Sequence, residues 1–249
     1  MSSIFLWENQ WVTGTVETDN ENPLFPAINT QNRWYTKTWR TTNATDEHAL
    51  VCDRGAAVKK VKSVVIKFTN FTSSATVKLQ ANTYKNWDTP PVDVTLTPHK
   101  DIMIYRFATE QDYQFWRIAI TDTTNTDEFY EVGYVSLGPE TELSRNINYG
   151  YSYTYNDLSS GGSNEGGLVG GVIKPKQTRA RYQVDYLTSE EKDEMERFYK
   201  YIGNFRYFFF VEDSNSLYSS TVLCRITQFT FNFLFNDMWN LAFEIEKVL

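Results

Sequence analysis

The sequence predicts a mainly β protein: an N-terminal β-sandwich or jelly roll followed by a β-rich module that carries one α-helix. Three observations predict it. Short alternating segments separated by Asn, Thr, Asp and Gly turns fill residues 1–140. Six of the twelve glycines fall within residues 159–171. Beyond them, a single helical period is bracketed by aromatic-rich strands. A chain of 249 residues, 41% hydrophobic and 16% aromatic, has core material for two such units and is neither disordered nor collagen-like.

The elements follow in chain order. Residues 61–68 and 75–81 alternate on either side of a turn at 70–74, which makes two strands and their connection. Residues 115–122 place Trp116, Ile118 and Ile120 on one face, and 130–138 supply another strand. In 146–156, Tyr149, Tyr151, Tyr153 and Tyr155 alternate with small or polar residues. This period of two implies an extended arm whose aromatic face lies on its own domain or on a neighbouring subunit. The glycine run reads as a flexible loop or linker.

After the linker, Thr188 can cap a helix and Glu191 can reach back to it. Met195, Phe198, Tyr199 and Ile202 then form the buried stripe, and Gly203 stops the helix. Strands are expected over 178–186, 207–212, 222–233 and 239–246. In the last, Leu241, Phe243 and Ile245 stand opposite Glu244 and Glu246. The expected domains are therefore a jelly roll over 1–142, a Tyr-rich arm and Gly-rich linker over 143–171, and a β-helix-β module over 172–249.

The run Phe205, Tyr207, Phe208, Phe209, Phe210 is too apolar for a strand with one wet face. Cover from a neighbouring subunit is favoured over a purely internal core. With the tyrosine arm, this gives an expected assembly interface of Tyr149, Tyr151, Tyr153, Tyr155, Phe205, Tyr207 and Phe209.

Charge and residue chemistry exclude several classes. With 24 Lys+Arg against 31 Asp+Glu the net charge is −7, and both halves are mildly acidic, so no phosphate-neutralising surface for nucleic acid is expected. No apolar run is long enough to insert into a membrane, and residues 1–8 lack the basic start and apolar stretch of a signal peptide. The chain reads as soluble and made in a cytosol. Cys52 and Cys224 are then buried thiols, or else a disulfide between the halves.

The only histidines, His48 and His99, sit apart, and there is no CxxC, so neither a zinc site nor any other metal centre or cofactor is expected. No nucleophile elbow or phosphate loop occurs, and the glycine run leads into no helix. No catalytic residue is assigned and no enzyme is expected. Asp122, Asn125, Asp127 and Glu128 form a polar turn that reads as solvated; a Ca²⁺ ligand set or a carboxylate pair are the sharper alternatives. The sequons at Asn43 and Asn70 read as turns. Trp34, Tyr35 and Trp87 lie beside turn signals, where rings either close the sandwich or stack on a sugar.

Two resemblances add to this reading. Thr38-Trp39-Arg40-Thr41, residues 58–70, 76–81, 113–118 and 131–138 come in the order of the discoidin-type, galactose-binding-like jelly roll, over nearly half the chain. That resemblance implies a ligand, sugar, lipid or protein, at the loops of one end of the sandwich. Gln183-Val184-Asp185-Tyr186, the helix at 188–203, the strand at 207–210 and the closing 239–246 are similar to the last module of tailed-bacteriophage tail and baseplate proteins. This second resemblance implies a virion structural protein, assembled in the bacterial cytoplasm into the tail. There it would form a homo-oligomeric ring and dock other tail proteins. The alternative is a carbohydrate-binding adhesin module that contacts a host-surface glycan.

Overall fold

The computed structural model describes residues 2–34, 36–55, 59–163, 165, 169–174 and 176–248. In chain order the strands are β1 (Ile4–Leu6), β2 (Thr15–Thr18), β3 (Trp39–Arg40), β4 (His48–Asp53), β5 (Val61–Thr69), β6 (Thr76–Asn82), β7 (Val92–Leu96), β8 (Ile102–Gln111) and β9 (Phe115–Thr121). They continue as β10 (Glu131–Gly138), β11 (Thr141–Glu142), β12 (Ser152–Asp157), β13 (Ser160–Ser163), β14 (Val169–Val172), β15 (Lys176–Leu187), β16 (Phe208–Val211), β17 (Thr221–Phe235) and β18 (Met238–Lys247). The helices are α1 (Gln10–Thr13), α2 (Ser189–Ile202) and α3 (Leu217–Ser220), with a 3₁₀ turn at Ala27–Gln31. The chain divides into two units, Glu8–Glu140 and Met1–Trp7 with Thr141–Leu249.

The first unit is a β-sandwich of jelly-roll type. A four-stranded sheet, β3-β10-β5-β8, and a five-stranded sheet, β2-β4-β9-β6-β7, supply its two layers. The alternation read in the sequence fixes the inner faces: Trp116, Ile118 and Ile120 of β9 and Val77, Leu79 and Ala81 of β6 are all buried in one core with Trp11 and Trp39. The indole N–H groups that this burial would strand are bonded, Trp11 to Thr30 Oγ1 at 2.9 Å, Trp116 to the Tyr113 carbonyl at 3.0 Å and Trp39 to that of Asn20 at 3.1 Å. Val58, expected to open a strand, lies outside the described residues.

The second unit is one antiparallel sheet in the order β11-β1-β16-β17-β18-β15-β12, with α2 on one face. Tyr182 and Val184 of β15, Leu241, Phe243 and Ile245 of β18, Phe208 and Phe210 of β16, and Phe5 of β1 meet Met195, Phe198 and Ile202 of the helix. Opposite Phe243 and Ile245, Glu246 is buried as well, with its charge met by Arg179 at 3.2 Å and Arg225 at 2.8 Å. Here the sequence expectation of 1–142 as one domain is corrected. The first seven residues belong to the sheet, because β1 pairs with β16 and β11 and fills the gap between them.

Of the two placements expected for the tyrosine arm, the strand takes its own unit: β12 pairs with β15 over Ser152↔Arg181 to Asp157↔Lys176 and forms an edge of the sheet. One further expectation changes. The glycine run is a hairpin rather than a bare linker, with Ser160–Ser163 paired to Val169–Val172; residues 164 and 166–168 lie outside the described residues. Glycine suits this pairing, since a Cβ on Gly171 would sit 2.9 Å from the Ser160 carbonyl oxygen.

The capping box forms as predicted. Thr188 Oγ1 accepts from the Glu191 N–H at 3.2 Å, and the Glu191 carboxylate accepts from the Thr188 N–H at 3.0 Å and from the Ser144 N–H at 2.8 Å. Burial alone would raise the Glu191 pKa, but these hydrogen bonds outweigh it and hold it below the ordinary glutamate value. A depressed folded-state pKa gives stability at neutral pH that is lost as pH falls through that pKa. Thr188→Ala is expected to cost about 1 kcal/mol, read as a lower urea midpoint at unchanged slope.

Candidate functional site

In the jelly roll, Trp34 lies between the 3₁₀ turn and β3, 58% exposed, with the Arg33 guanidinium 5.5 Å from its ring centre. Trp87 lies in the β6–β7 loop, half-buried, 5.8 Å from Arg117. Arg117 is itself held by Gln80 at 2.8 Å and Glu47 at 2.6 Å. The two tryptophans thus pack beside different guanidinium groups. Tyr35 lies outside the described residues.

The polar turn after β9 is solvated, as its composition predicts, at Thr123, Thr124, Thr126, Asp127 and Glu128, but not at two of its polar residues. Asp122 is only 1% exposed, and Asn125 is buried too. The Asp122 carboxylate accepts from the Thr72 N–H and hydroxyl, each at 2.7 Å, and from Thr124 Oγ1 at 3.0 Å. Tyr130, fully buried, takes the Asp122 N–H on its hydroxyl at 2.9 Å. Asp127 accepts from Asn70 Nδ2 at 3.1 Å. These groups clamp the 70–75 and 122–130 loops together, which gives the carboxylates a structural task.

The two sequons are absorbed in the same way. Asn70 donates to the Phe129 carbonyl, and Asn43 Oδ1 lies 2.9 Å from Nε2 of the buried His48, whose Nδ1 faces Asp19 at 3.1 Å. Cys52 and Cys224 are both buried, and burial pushes the Cys52 thiol up to about 12. Among the described residues no group of three or more His, Cys, Asp or Glu could hold a metal ion.

The sheet unit carries the exposed aromatics. Tyr149 and Tyr155 project into solvent, whereas Tyr151 and Tyr153 pack against each other at 5.5 Å. Tyr151 also meets Tyr182, with ring centres 5.4 Å apart. The Tyr153 and Tyr182 hydroxyls both donate to Glu212, and burial, then this carboxylate, raises the Tyr182 pKa well above the ordinary phenol value. Phe205 is exposed and Tyr207 half-buried. Phe209 corrects the expected interface, since at 1% exposure it is already covered within the chain and is not available to a neighbouring subunit.

A second aromatic surface was not predicted. The β17–β18 hairpin runs on past the helix to a turn at Asn236 and Asp237, both at positive φ (45° and 58°), and leaves Phe233 and Phe235 57% and 56% exposed. Tyr186 joins them across a register shift between Val184 and Leu187. Its φ of 60° turns it out of the alternation, and its ring meets Phe235 at 6.4 Å. Trp239 stacks edge-on to Phe233 at 5.1 Å, with Lys192 5.3 Å from the Trp239 ring centre. The signal in the sequence is the alternation Phe229, Phe231, Phe233, Phe235, which runs beyond what one helix can cover.

No family model matches the chain, and no curated protein matches it. Among solved structures it is similar to carbohydrate-binding modules. One is chitosan-binding module 1 of a chitosanase/glucanase from Paenibacillus sp. IK-5, with 18% identity and a TM-score of 0.43 over 53% of this chain and 99% of that one. A family 32 module of C. perfringens NanJ, in complex with galactose, has 16% identity and a TM-score of 0.42 over 56% and 99%. The lectin domain of lectinolysin, complexed with Lewis B antigen, has 12% identity and a TM-score of 0.43 over 52% and 95%.

Proposed function

We propose that this chain is a non-enzymatic structural subunit of a multi-protein assembly, of the virion-tail kind that its closing module resembles. It would pack there against further copies of itself in a ring and against other tail or baseplate proteins, after assembly in the bacterial cytoplasm. The observation that carries this reading is the aromatic hairpin tip of Tyr186, Phe233 and Phe235. A β-bulge with backbone strain at a tyrosine persists where the rest of the fold holds it, and here it adds a third ring to two exposed phenylalanines. Exposed aromatics gathered at a rigid hairpin are the composition of an interface core, where a few such rings supply most of the binding energy. Of the carboxylates weighed as catalytic candidates, Asp122 is taken up by the loop clamp and Asp127 bonds to Asn70, which supports a non-enzymatic role.

The test is mass photometry and light scattering on the full chain over a concentration series. An oligomer is expected, and the double change Phe233→Ser with Phe235→Ser is expected to shift it to monomer while leaving the melting temperature within a few degrees. A chain that is monomeric at every concentration, or an oligomer indifferent to the double change, overturns the ring.

Carbohydrate binding by the jelly roll is the second reading, favoured by one observation: Trp34 presents most of its ring to solvent beside a guanidinium, an arrangement that stacks well on a sugar face.

A further inference from the structure

Two depressions in the sheet unit share a wall made by Asn148, Tyr149 and Tyr151. The larger, of about 570 Å³, is completed by Glu212, Asp213 and the serines of the 216–220 segment. The smaller, of about 250 Å³, is completed by Arg181 and Gln183. We propose that they form one glycan-binding site, in which a neutral sugar ring occupies the larger depression and the next residue of the glycan reaches Arg181. This rests on neither reading given above, since its lining includes neither Trp34 nor any residue of the hairpin tip.

The lining chemistry carries the proposal. A pyranose offers an apolar C–H face and a rim of hydroxyls that both donate and accept, so its site needs an aromatic wall with acceptors and donors in reach. Tyr149 supplies a ring with no packing of its own, and Tyr151 a ring already fixed against Tyr182. The wall is therefore half preorganised, which limits the ordering cost of binding.

The acceptors are held in place as well. Glu212 is positioned by the Tyr153 and Tyr182 hydroxyls, with Lys247 at 3.7 Å, and Asp213 by the Asn215 N–H at 2.9 Å. Asn146 has its carbonyl oxygen engaged by Ser3 Oγ at 2.9 Å and by the Ile147 N–H at 2.9 Å. Among the described residues, its amide N–H groups have no protein partner. Asn148 is anchored through Asp185 at 2.6 Å.

On the other side of the wall, Arg181 stands exposed on β15 and, among the described residues, makes no ion pair, so its donors are open to hydroxyls or to an acidic sugar. An apolar peptide finds too many polar groups in this lining. A lysine-rich one finds partners only on the Glu212 side and a cation on the other.

The test uses the full chain on an array of neutral hexose, N-acetylhexosamine and uronic-acid oligosaccharides, followed by calorimetric titration with the strongest binder. Tyr149→Ala and Arg181→Ala, both at exposed positions, are each expected to weaken binding at least tenfold. Trp34→Ala, and the double change at Phe233 and Phe235, are expected to leave it within twofold, so the fate of the two readings above is read separately. Comparison of neutral with uronic-acid-ended oligosaccharides of equal length shows which sugar Arg181 takes. Absence of any glycan binding, binding indifferent to both Tyr149→Ala and Arg181→Ala, or loss of binding in Trp34→Ala overturns the proposal.

Discussion

Phe5→Ala is expected to destabilise the sheet unit by about 3–5 kcal/mol, the range for removing a large aromatic side chain from a packed core. Phe5 is fully buried and meets four rings, Phe198, Phe208, Phe210 and Phe243, at centre distances of 5.2, 6.1, 5.0 and 5.6 Å. It joins the helix to the sheet from a three-residue strand paired on both sides, so the cavity left behind lies in the middle of the unit. The measurement is hydrogen exchange followed by mass spectrometry. Amides of β16, β17 and α2 are expected to lose protection while those of β5 and β9 keep theirs. Equal loss in both groups, or no loss in the first, shows that the first seven residues do not belong to the sheet unit.

Gly138→Ala is the second large effect, and it acts on the jelly roll. A Cβ at this position would lie 1.9 Å from the Glu8 carbonyl oxygen and 3.1 Å from its carbon, far inside any contact that two atoms tolerate. The obstacle is backbone, which cannot rotate away as a side chain would. The segment that supplies it is pinned to β10 by Asn9, whose amide donates to the Val135 carbonyl at 2.8 Å and whose oxygen accepts the Leu137 N–H at 3.2 Å. Relief therefore means detaching residues 8–9 from β10, at a cost at or above the roughly 1–3 kcal/mol usual for overpacking. Urea unfolding is expected to show a large drop in midpoint, with Gly162→Ala, where a Cβ meets nothing within 4 Å, as the near-neutral control. A Gly138→Ala protein as stable as that control would show that Glu8 can move off β10 at little cost.

Much of the secondary structure was legible in the residues. The period of two in 61–68, 115–122 and 239–246 located β5, β9 and β18, because each strand buries one face against a core and the pleat turns alternate side chains to it. The helix was legible down to its cap, since Thr188 and Glu191 satisfy local backbone donors and need nothing distant. The candidate sites were much less legible. Phe209 reads as an interface residue because a run of aromatic residues has no dry face to spare, yet the folded chain covers it. Asp122 reads as solvated because Thr, Asn and Asp surround it, yet Thr72, fifty residues away, takes its carboxylate inside.

By itself, the sequence determined the fold class, the alternating strands and the one capped helix of this protein, all of which depend on neighbours within a turn or a strand length. Only the tertiary structure decided which strands share a sheet and so which rings stay wet. It carried residues 4–6 across the chain to β16, drew the tyrosine arm in as an edge strand, and ran the β17–β18 hairpin out beyond its helix. The physical reason is that sheet pairing joins residues far apart in sequence, so burial at any one of them is set by partners that local pattern does not contain.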